Sequence, residues 1–299
     1  MRLFPDSAEK RAVDLVPRAL QWAPDLVVSE EFELAGSVAA ALVGARYVVH
    51  GLGMMPPLPI WSSLAPAVER LHERWHTAVG VDEVRDATYL ELCPPSLRPA
   101  GDRVWHRTRP LRPVAGEPVG TERLPDELGA LPYDDTVHLT LGTLFHDNVG
   151  VLDTALAGLR ELPVNVVVTT GPGTAPSRLG PQPAHVLALP YLPHALLLPR
   201  CRLIVSQGGA GIMFGALAHG LPQLMLPQGA DQFLNAAACT SAGAALALDA
   251  DALTPGTVAS ATTRLLREPE FTEATAVLRT EIAAMPSADE VLAFLIEES

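Results

Sequence analysis

The sequence predicts an α/β protein in which parallel β-sheets are covered by helices. Short apolar strands alternate with helical segments along most of the 299 residues. Several of these strands, such as VNVVVTTG, are apolar on both faces, which is typical of a sheet buried on both sides. A regular alternation of such strands with helices indicates successive βαβ units.

The N-terminal elements alternate in this way. AEKRAVDLVPRALQWAP predicts an amphipathic helix, DLVVSE a short buried strand, LAGSVAAALVG a helix, and RYVVHGLG a second strand. LAPAVERLHERWHTAVG predicts another helix. From Cys93 to about Pro132 the chain is rich in proline and has few apolar runs, which is typical of a surface linker. We assign residues 1–112 to a first domain and residues 113–132 to a linker.

The second domain, residues 133–299, has the more regular pattern. Strands are predicted over TVHLTLG, VNVVVTTG, AHVLALPYLP, CRLIVSQ, PQLMLP and GAALAL, with helices between them, one of which begins at Asp231. Thr254-Pro255 predicts a helix start, because a capping residue precedes a proline there. A capping box at Ser287 predicts a final helix, 287–299, which we expect to cross back to the first domain.

Composition excludes several classes of protein. A net charge of −13 argues against a nucleic-acid partner, because binding to a phosphate backbone needs clustered Lys and Arg. Three cysteines are too few and too scattered for a disulfide framework or a metal site. No apolar run is long enough for a membrane span, and the first residues do not resemble a signal peptide. We therefore expect a cytoplasmic protein with neither a nucleic-acid nor a membrane partner.

The stretch SQGGAGIMFGALAHGLPQLMLPQGADQFLNA, residues 206–236, carries the strongest functional signal. A strand that ends at Val205 leads into glycines 208, 209 and 211, and a helix begins near Gly211. Glycines let the backbone approach a ligand closely, and a helix start presents unpaired N–H groups with a partial positive charge. This combination predicts a phosphate or diphosphate site at the carboxyl end of a strand.

Two alternatives compete with that interpretation. Gly209, Gly211 and Gly215 imitate a dinucleotide-binding fingerprint, with Asp231 about twenty residues further on. In a dinucleotide site the acid should end the second strand, whereas Asp231 begins a helix. The glycines could also serve only the close packing of a helix on a strand.

The whole segment resembles the donor-binding motif of GT-B glycosyltransferases that use nucleotide-activated sugars without a metal. It is most similar to the bacterial family that glycosylates macrolides and other polyketides. The family pattern, approximately HGGxGT…GxPQ…PQxADQ…NA, stands here as QGGAG, GLPQ and PQGADQFLNA. LTLGT, VVVTTG, PPSLRP and APDLVVSE extend the similarity over nearly the whole chain.

The resemblance implies two Rossmann-like domains facing a cleft, and it assigns roles to residues of this sequence. The donor diphosphate would contact Thr143, Gln207, Gly208, Gly209, Ala210 and Gly211. Asp231 and Gln232 would bind sugar hydroxyls, since an acid beside an amide offers both acceptors and donors. Asp231 could equally be a helix N-cap or a first-turn acid, and this alternative stays open.

Two positions depart from the family pattern. Gln207 stands where the family has a histidine; its NH₂ group can donate a hydrogen bond, but it cannot become cationic. A W-x-P-Q segment that lines the base pocket reads Tyr191-Leu192-Pro193-His194 here. Tyr191 can stack on a base, so Tyr191, Pro193 and His194 become the candidate base and ribose contacts. His194 could instead be a surface residue that caps the next helix.

The N-terminal domain is shorter than the family pattern. Two or three βα units, with the histidine that deprotonates the acceptor, are expected to be missing. Glu30 falls where the family keeps an acid that orients this base, whereas Glu31 and Glu33 suggest a solvated acidic turn. His50, at the end of a strand, could line the cleft or belong to a loop.

The resemblance implies an inverting, metal-independent glycosyltransferase with no cofactor besides its donor. It would move a sugar from a UDP- or dTDP-sugar to a hydroxyl of a small polyketide- or macrolide-like acceptor. The alternative is a non-catalytic remnant that binds nucleotide sugar, or a partner subunit that lacks the catalytic base. An uncovered sheet edge in a truncated domain favours a homodimer or a partner chain.

Overall fold

The computed structural model describes residues 3–98, 101, 104–114, 116, 120, 122–142, 149–171 and 173–297, with only the backbone described for residues 3–6. The chain divides into two compact units. The first unit contains Met1–Cys93, Pro99–Arg112 and Met285–Ser299, and the second contains Pro94–Arg98 and Pro113–Ala284. Each unit has one parallel sheet covered by helices, which confirms the predicted α/β class.

The first unit is a four-stranded parallel sheet in the order β1-β2-β3-β4. Its strands are β1 (Leu26–Glu30), β2 (Arg46–His50), β3 (Thr88–Glu91) and β4 (Arg107–Pro110). Its helices are α1 (Leu3–Trp22), α2 (Ala35–Val43), α3 (Leu58–Arg74), α4 (Val81–Arg85) and, from the end of the chain, α11 (Ala288–Glu297). The Trp105 ring contacts Trp61 and stacks on Tyr89, with centroids 4.9 Å and 5.5 Å apart, and all three rings are buried.

Two expectations for this unit were wrong, and one strand was missed. The segment 93–112 is not a surface linker, because Val104 and Trp105 are buried in the core and β4 follows them. Strand β4 escaped prediction because its sequence, RTRP, has no apolar alternation; backbone pairing with β3 defines it. DLVVSE forms β1, but this strand is only half-buried, since it has a strand neighbour on one side among the described residues.

The second unit is a six-stranded parallel sheet in the order β10-β9-β8-β5-β6-β7. Its strands are β5 (Thr136–Thr140), β6 (Asn165–Thr169), β7 (Val186–Leu189), β8 (Leu203–Ser206), β9 (Gln223–Met225) and β10 (Ala245–Ala247). Its helices are α5 (Val149–Arg160), α6 (His194–Leu197), α7 (Ala210–Ala218), α8 (Gln232–Ser241), α9 (Pro255–Arg267) and α10 (Pro269–Ala284).

Strand order places the ligand crevice of the second unit. The chain builds β5, β6 and β7 outward on one side, then returns to β8 beside β5 and builds β9 and β10 on the other. This is the doubly wound order with its topological switch between β5 and β8. In open α/β sheets, ligands bind outside the carboxyl ends of the strands at this switch.

The two faces of this sheet bury separate clusters of side chains. Val137 and Leu139 lie in a cluster with residues of α5 and α9, whereas Ile204 lies in a cluster with residues of α6 and α7. Leu124, Leu128 and Leu131 pack against this second cluster. A Cβ at Gly158 would overlap the Pro255 carbonyl oxygen, so only glycine lets α5 approach α9 this closely.

The predicted helix starts near the C-terminus are present. Thr254 caps α9, with its hydroxyl accepting from the Thr257 amide at 3.1 Å. Ser287 and Glu290 form the capping box that precedes α11. Arg46 donates to the carbonyl of Leu295, and the Arg109 guanidinium lies over the Phe294 ring at 3.3 Å, so α11 packs within the first unit. Within the described part of the chain, every helix is too short or too polar to span a bilayer.

Candidate functional site

The glycine turn lies at the switch point of the second unit. It joins β8 to α7, and its central residue, Gly208, has φ +81°, a conformation that side chains other than glycine rarely adopt. The Gly208 amide donates to the Ser206 hydroxyl at 3.1 Å, which closes the turn. Gly209 is extended and occupies the N-cap position, so α7 begins at Ala210, one residue before the start that the sequence predicts near Gly211.

The first turn of α7 has amides without intrahelical partners. The Met213 amide donates to the Gly209 carbonyl at 3.0 Å, so the N–H groups of the preceding helical residues have no carbonyl one turn back. A Cβ at Gly211 would meet no atom within 4 Å. The helix start therefore combines unpaired N–H groups, a partial positive charge and open space beside the backbone.

Gln207 connects the glycine turn to the loop after β5. Its side chain is 7% exposed, and a Cβ at Gly142 would overlap its Nε2 atom. Gly142 itself has φ +71°, a conformation that favours glycine at this position. Gln207 Oε1 is buried without a hydrogen-bond partner among the described residues, and an amide flip exchanges its two ends. Thr143 lies outside the described residues.

Asp231 occupies the N-cap position of α8 but does not act as a cap. Its carboxylate accepts no hydrogen bond from the helix amides; instead, Oδ2 accepts from Asn235 Nδ2 at 2.8 Å. The preceding residue, Ala230, has φ +54°, which is unfavourable for alanine. Strained conformations of this kind persist where the surroundings hold them in place, and they are common at binding sites.

Gln232 supports the loop before it. Its side chain is 2% exposed, and Oε1 accepts from the amides of Gln228 and Gly229 at 2.8 Å and 3.1 Å. The amide oxygen is thus committed to this loop. Only the NH₂ end of Gln232 is left for the sugar contact that the sequence suggests.

Asn235 is the site residue that the motif contained but to which the sequence analysis gave no role. It is fully buried, and its Nδ2 donates both to the Gly208 carbonyl at 2.9 Å and to Asp231 Oδ2 at 2.8 Å. Its position four residues after Asp231 was the available signal, because residues so spaced lie on the same face of a helix.

Tyr191 lines an open pocket beyond β6 and β7. The tyrosine is 64% exposed. The other lining residues come from the two loops that follow these strands: Gly171, Gly173, Thr174, Ala175, Pro176 and Pro190. The walls are mostly apolar, and an aromatic ring on a pocket with apolar walls suits a flat ring system.

His194 lies at the first turn of α6 and packs against a second histidine. Pro193, not His194, is the N-cap residue, so the alternative that His194 caps the helix is wrong. The His194 ring meets the His138 ring edge-on, with centroids 5.5 Å apart. Burial lowers the pKa of His194, which keeps its imidazole neutral near pH 7.

His138 was not foreseen from the sequence, since it falls inside a predicted strand. It is fully buried on β5, and its Nδ1 lies 2.9 Å from the Val167 carbonyl. Burial lowers the pKa of His138 to about 3, and the neighbouring His194 adds to this effect. We infer a neutral histidine that belongs to the core.

The acidic cluster of the first unit consists of Glu30, Glu31 and Glu33 and lies at the carboxyl end of strand β1. Glu30 Oε2 accepts from the Phe32 amide at 2.8 Å, and burial raises the pKa of Glu30. His50 is its in-register neighbour on β2, at the same carboxyl edge. Glu31 was expected in a solvated turn; this is wrong, because it is 4% exposed and accepts from the Tyr89 hydroxyl at 2.8 Å. Glu33 pairs with Arg11 at the surface.

The strand order and the glycine turn at its switch define the second unit as an α/β domain of the Rossmann type. Comparison with known proteins identifies the family to which the chain belongs. Residues 153–298 match the family described as Erythromycin biosynthesis protein CIII-like, C-terminal domain. The chain is 35% identical over 241 residues to the L-demethylnoviosyl transferase of Streptomyces niveus. This alignment covers 77% of this chain and 59% of that protein.

Two further similarities extend over more of the chain. The elloramycin glycosyltransferase ElmGT of Streptomyces olivaceus is 31% identical over 280 residues, which is 93% of this chain and 69% of that protein. The crystal structure of the glycosyltransferase VinC in complex with dTDP matches with a TM-score of 0.84 at 27% identity, over 99% of this chain and 78% of that one. The chain belongs to this family of antibiotic glycosyltransferases, and the GT-B class is confirmed. It spans 59% to 69% of the length of these two sequence relatives.

Proposed function

We propose that this chain carries the donor site of a glycosyltransferase that moves a sugar from a dTDP- or UDP-sugar to a hydroxyl of a polyketide- or macrolide-like acceptor. The observation that carries the proposal is the open glycine turn at the switch between β5 and β8, with Asp231 tied to it through Asn235. Family membership and the dTDP bound to VinC support it.

The donor diphosphate binds at the start of α7 in this proposal. The amides of Gly209, Ala210 and Gly211 donate to its oxygens, and the open space beside Gly211 admits it. Gln207 adds a donor through its NH₂ group. Neutralising the charge by amides and a helix start makes a metal unnecessary for holding the diphosphate.

The base and the sugar occupy neighbouring parts of the same crevice. The thymine or uracil ring stacks on Tyr191, and Pro193 and His194 contact the base and ribose. The sugar hydroxyls reach Asp231 through its Oδ1, since Oδ2 is already held by Asn235. The NH₂ group of Gln232 completes the sugar contacts.

Transfer proceeds with inversion at the anomeric carbon. The acceptor oxygen attacks this carbon from the side opposite the diphosphate and forms the new C–O bond. The bond to the diphosphate breaks, the nucleoside diphosphate leaves with the electron pair, and the acceptor proton passes to a base. Donors aligned in advance at α7 stabilise the growing charge on the leaving group. The resemblance to the family gives Glu30 the role of orienting this base, and partial burial raises the pKa of Glu30.

Product analysis tests the proposal. The chain is incubated with dTDP- and UDP-sugars and a panel of polyketide aglycones, with and without EDTA, and products are identified by mass spectrometry and the anomeric configuration by NMR. We expect an inverted glycoside at equal rates with and without EDTA. Donor binding without turnover would favour the non-catalytic alternative, and the absence of dTDP and UDP binding would overturn both.

A further inference from the structure

We propose that Asn235 is a positioning residue that couples the glycine turn to Asp231, so that the diphosphate and the sugar acid are placed by one side chain. This inference rests on the proposed function. The Asn235 side chain is fully buried, and both protons of its NH₂ group are used. One points to the Gly208 carbonyl at 2.9 Å, and the other to Asp231 Oδ2 at 2.8 Å.

The bond to Gly208 fixes the orientation of a peptide that faces the donor. In a trans peptide the carbonyl and the following N–H point to opposite sides. Holding the Gly208 carbonyl toward Asn235 therefore aims the Gly209 N–H away from it, on the side of the helix start. Gly208 has φ +81°, where glycine alone moves freely, so this turn needs an external contact to keep one orientation.

The bond to Asp231 fixes the orientation of the acid. Asp231 follows Ala230, whose φ is +54°, and its carboxylate makes no cap bond to α8. Asn235 thus supplies the hydrogen bond that selects one carboxylate rotamer, and Oδ1 remains for a sugar hydroxyl. Asn235 Oδ1 is buried without a hydrogen-bond partner among the described residues. Burying this oxygen without a partner is unfavourable. The two hydrogen bonds of the NH₂ group therefore explain why an asparagine occupies this position.

A ligand that lacks the sugar gives the sharpest test. Bare dTDP has no hexose for Asp231 to contact, so Asp231 can strengthen dTDP binding only through Asn235 and Gly208. We expect Asp231→Ala to weaken binding of bare dTDP about five- to tenfold, the lower range of typical couplings between sites. If Asn235 had no coupling role, removing a carboxylate near a diphosphate would leave dTDP affinity unchanged or improve it.

Isothermal titration calorimetry with dTDP is carried out on four proteins: native, Asp231→Ala, Asn235→Leu, and the double variant. Asn235→Leu should weaken dTDP binding by a similar factor, and Asp231→Ala should then have no further effect. Cys239→Ser is the matched control, because Cys239 is equally buried on α8 and takes no part in the hydrogen bonds that join Asn235 to Gly208 and Asp231; it should keep the native dTDP affinity.

The outcomes separate the two proposals. If the native chain binds neither dTDP nor UDP, the proposed function fails. If the native chain binds dTDP and Asp231→Ala binds it as tightly or more tightly, the coupling by Asn235 is overturned. If Asn235→Leu does not fold, the Asp231→Ala comparison alone still decides, since Asp231 is partly exposed. With a dTDP-sugar and acceptor, we expect Asn235→Leu to lower kcat by a larger factor than it raises KM. Cys239→Ser should change neither kcat nor KM.

Discussion

Replacing Gly208 and Gly211 separately should move stability and donor affinity in different ways. At Gly208, φ is +81°, and a Cβ would meet only ordinary contacts, the nearest at 3.6 Å. The cost of Gly208→Ala is therefore the backbone conformation, about 1–2 kcal/mol. For a chain of this size that corresponds to a fall in melting temperature of about 2–8 °C.

Gly211→Ala should do the opposite to stability. Gly211 lies in the first turn of α7 with an ordinary φ, and its Cβ would occupy open space. Alanine in a helix is more stable than glycine by up to about 1 kcal/mol. In the proposed donor site, however, the same methyl group would stand where the diphosphate approaches the amides. Losing one charge-assisted hydrogen bond costs about 1.5–3 kcal/mol, which weakens dTDP binding roughly 10- to 150-fold.

The assay combines thermal melting with calorimetry of dTDP binding. Gly256→Ala is the matched control: it is exposed, lies at the same position in the first turn of α9, and is remote in sequence from the glycine turn. It should be as stable as Gly211→Ala and bind dTDP like the native chain. A Gly211→Ala variant that binds dTDP with native affinity would refute the placement of the diphosphate.

Other predictions follow from single contacts. Tyr191→Ala should weaken dTDP binding by about 1–3 kcal/mol without lowering the melting temperature, because the ring is exposed and acts by stacking; calorimetry that shows native affinity would exclude Tyr191 from the base site. The pKa of His138 falls from 6.5 to about 3 on folding, so the unfolded chain takes up this proton at a higher pH than the folded chain does. The folded state therefore loses stability as pH falls from about 6.5 toward 3. His138→Leu should flatten this acid loss in chemical denaturation, and an unchanged slope would contradict the buried, neutral histidine. The pKa of Glu30 is raised on folding above its ordinary value of 4.5, so its ionisation opposes folding. Glu30→Gln should therefore gain stability relative to the native chain as pH rises above 4.5, and a constant difference across pH would argue against this.

Strong local patterns made much of the second unit predictable. Its strands β5 and β6 are buried on both faces, its helices begin at recognisable caps such as Thr254, and its glycine turn follows a buried strand. These signals act over a few residues, so the sequence alone contains them. The strand order did not follow from such signals, because it depends on pairing between segments distant in sequence.

The errors lie where tertiary contacts override local composition. Strand β4 has the sequence RTRP, and only pairing with β3 makes it a strand. Glu31 looked like part of a solvated turn, but the Tyr89 hydroxyl provides a buried partner across 58 residues of sequence. Asn235 and Asp231 could be placed on one face of α8, but no spacing rule brings the Gly208 carbonyl to them.

The central claim is that a nucleoside diphosphate binds at the start of α7. A backbone ¹H–¹⁵N spectrum of the assigned chain, titrated with dTDP, tests this most directly. We expect the amide resonances of Gly209, Ala210 and Gly211 to show the largest shifts, saturating together. Saturable binding that leaves these three amides unmoved would contradict the account.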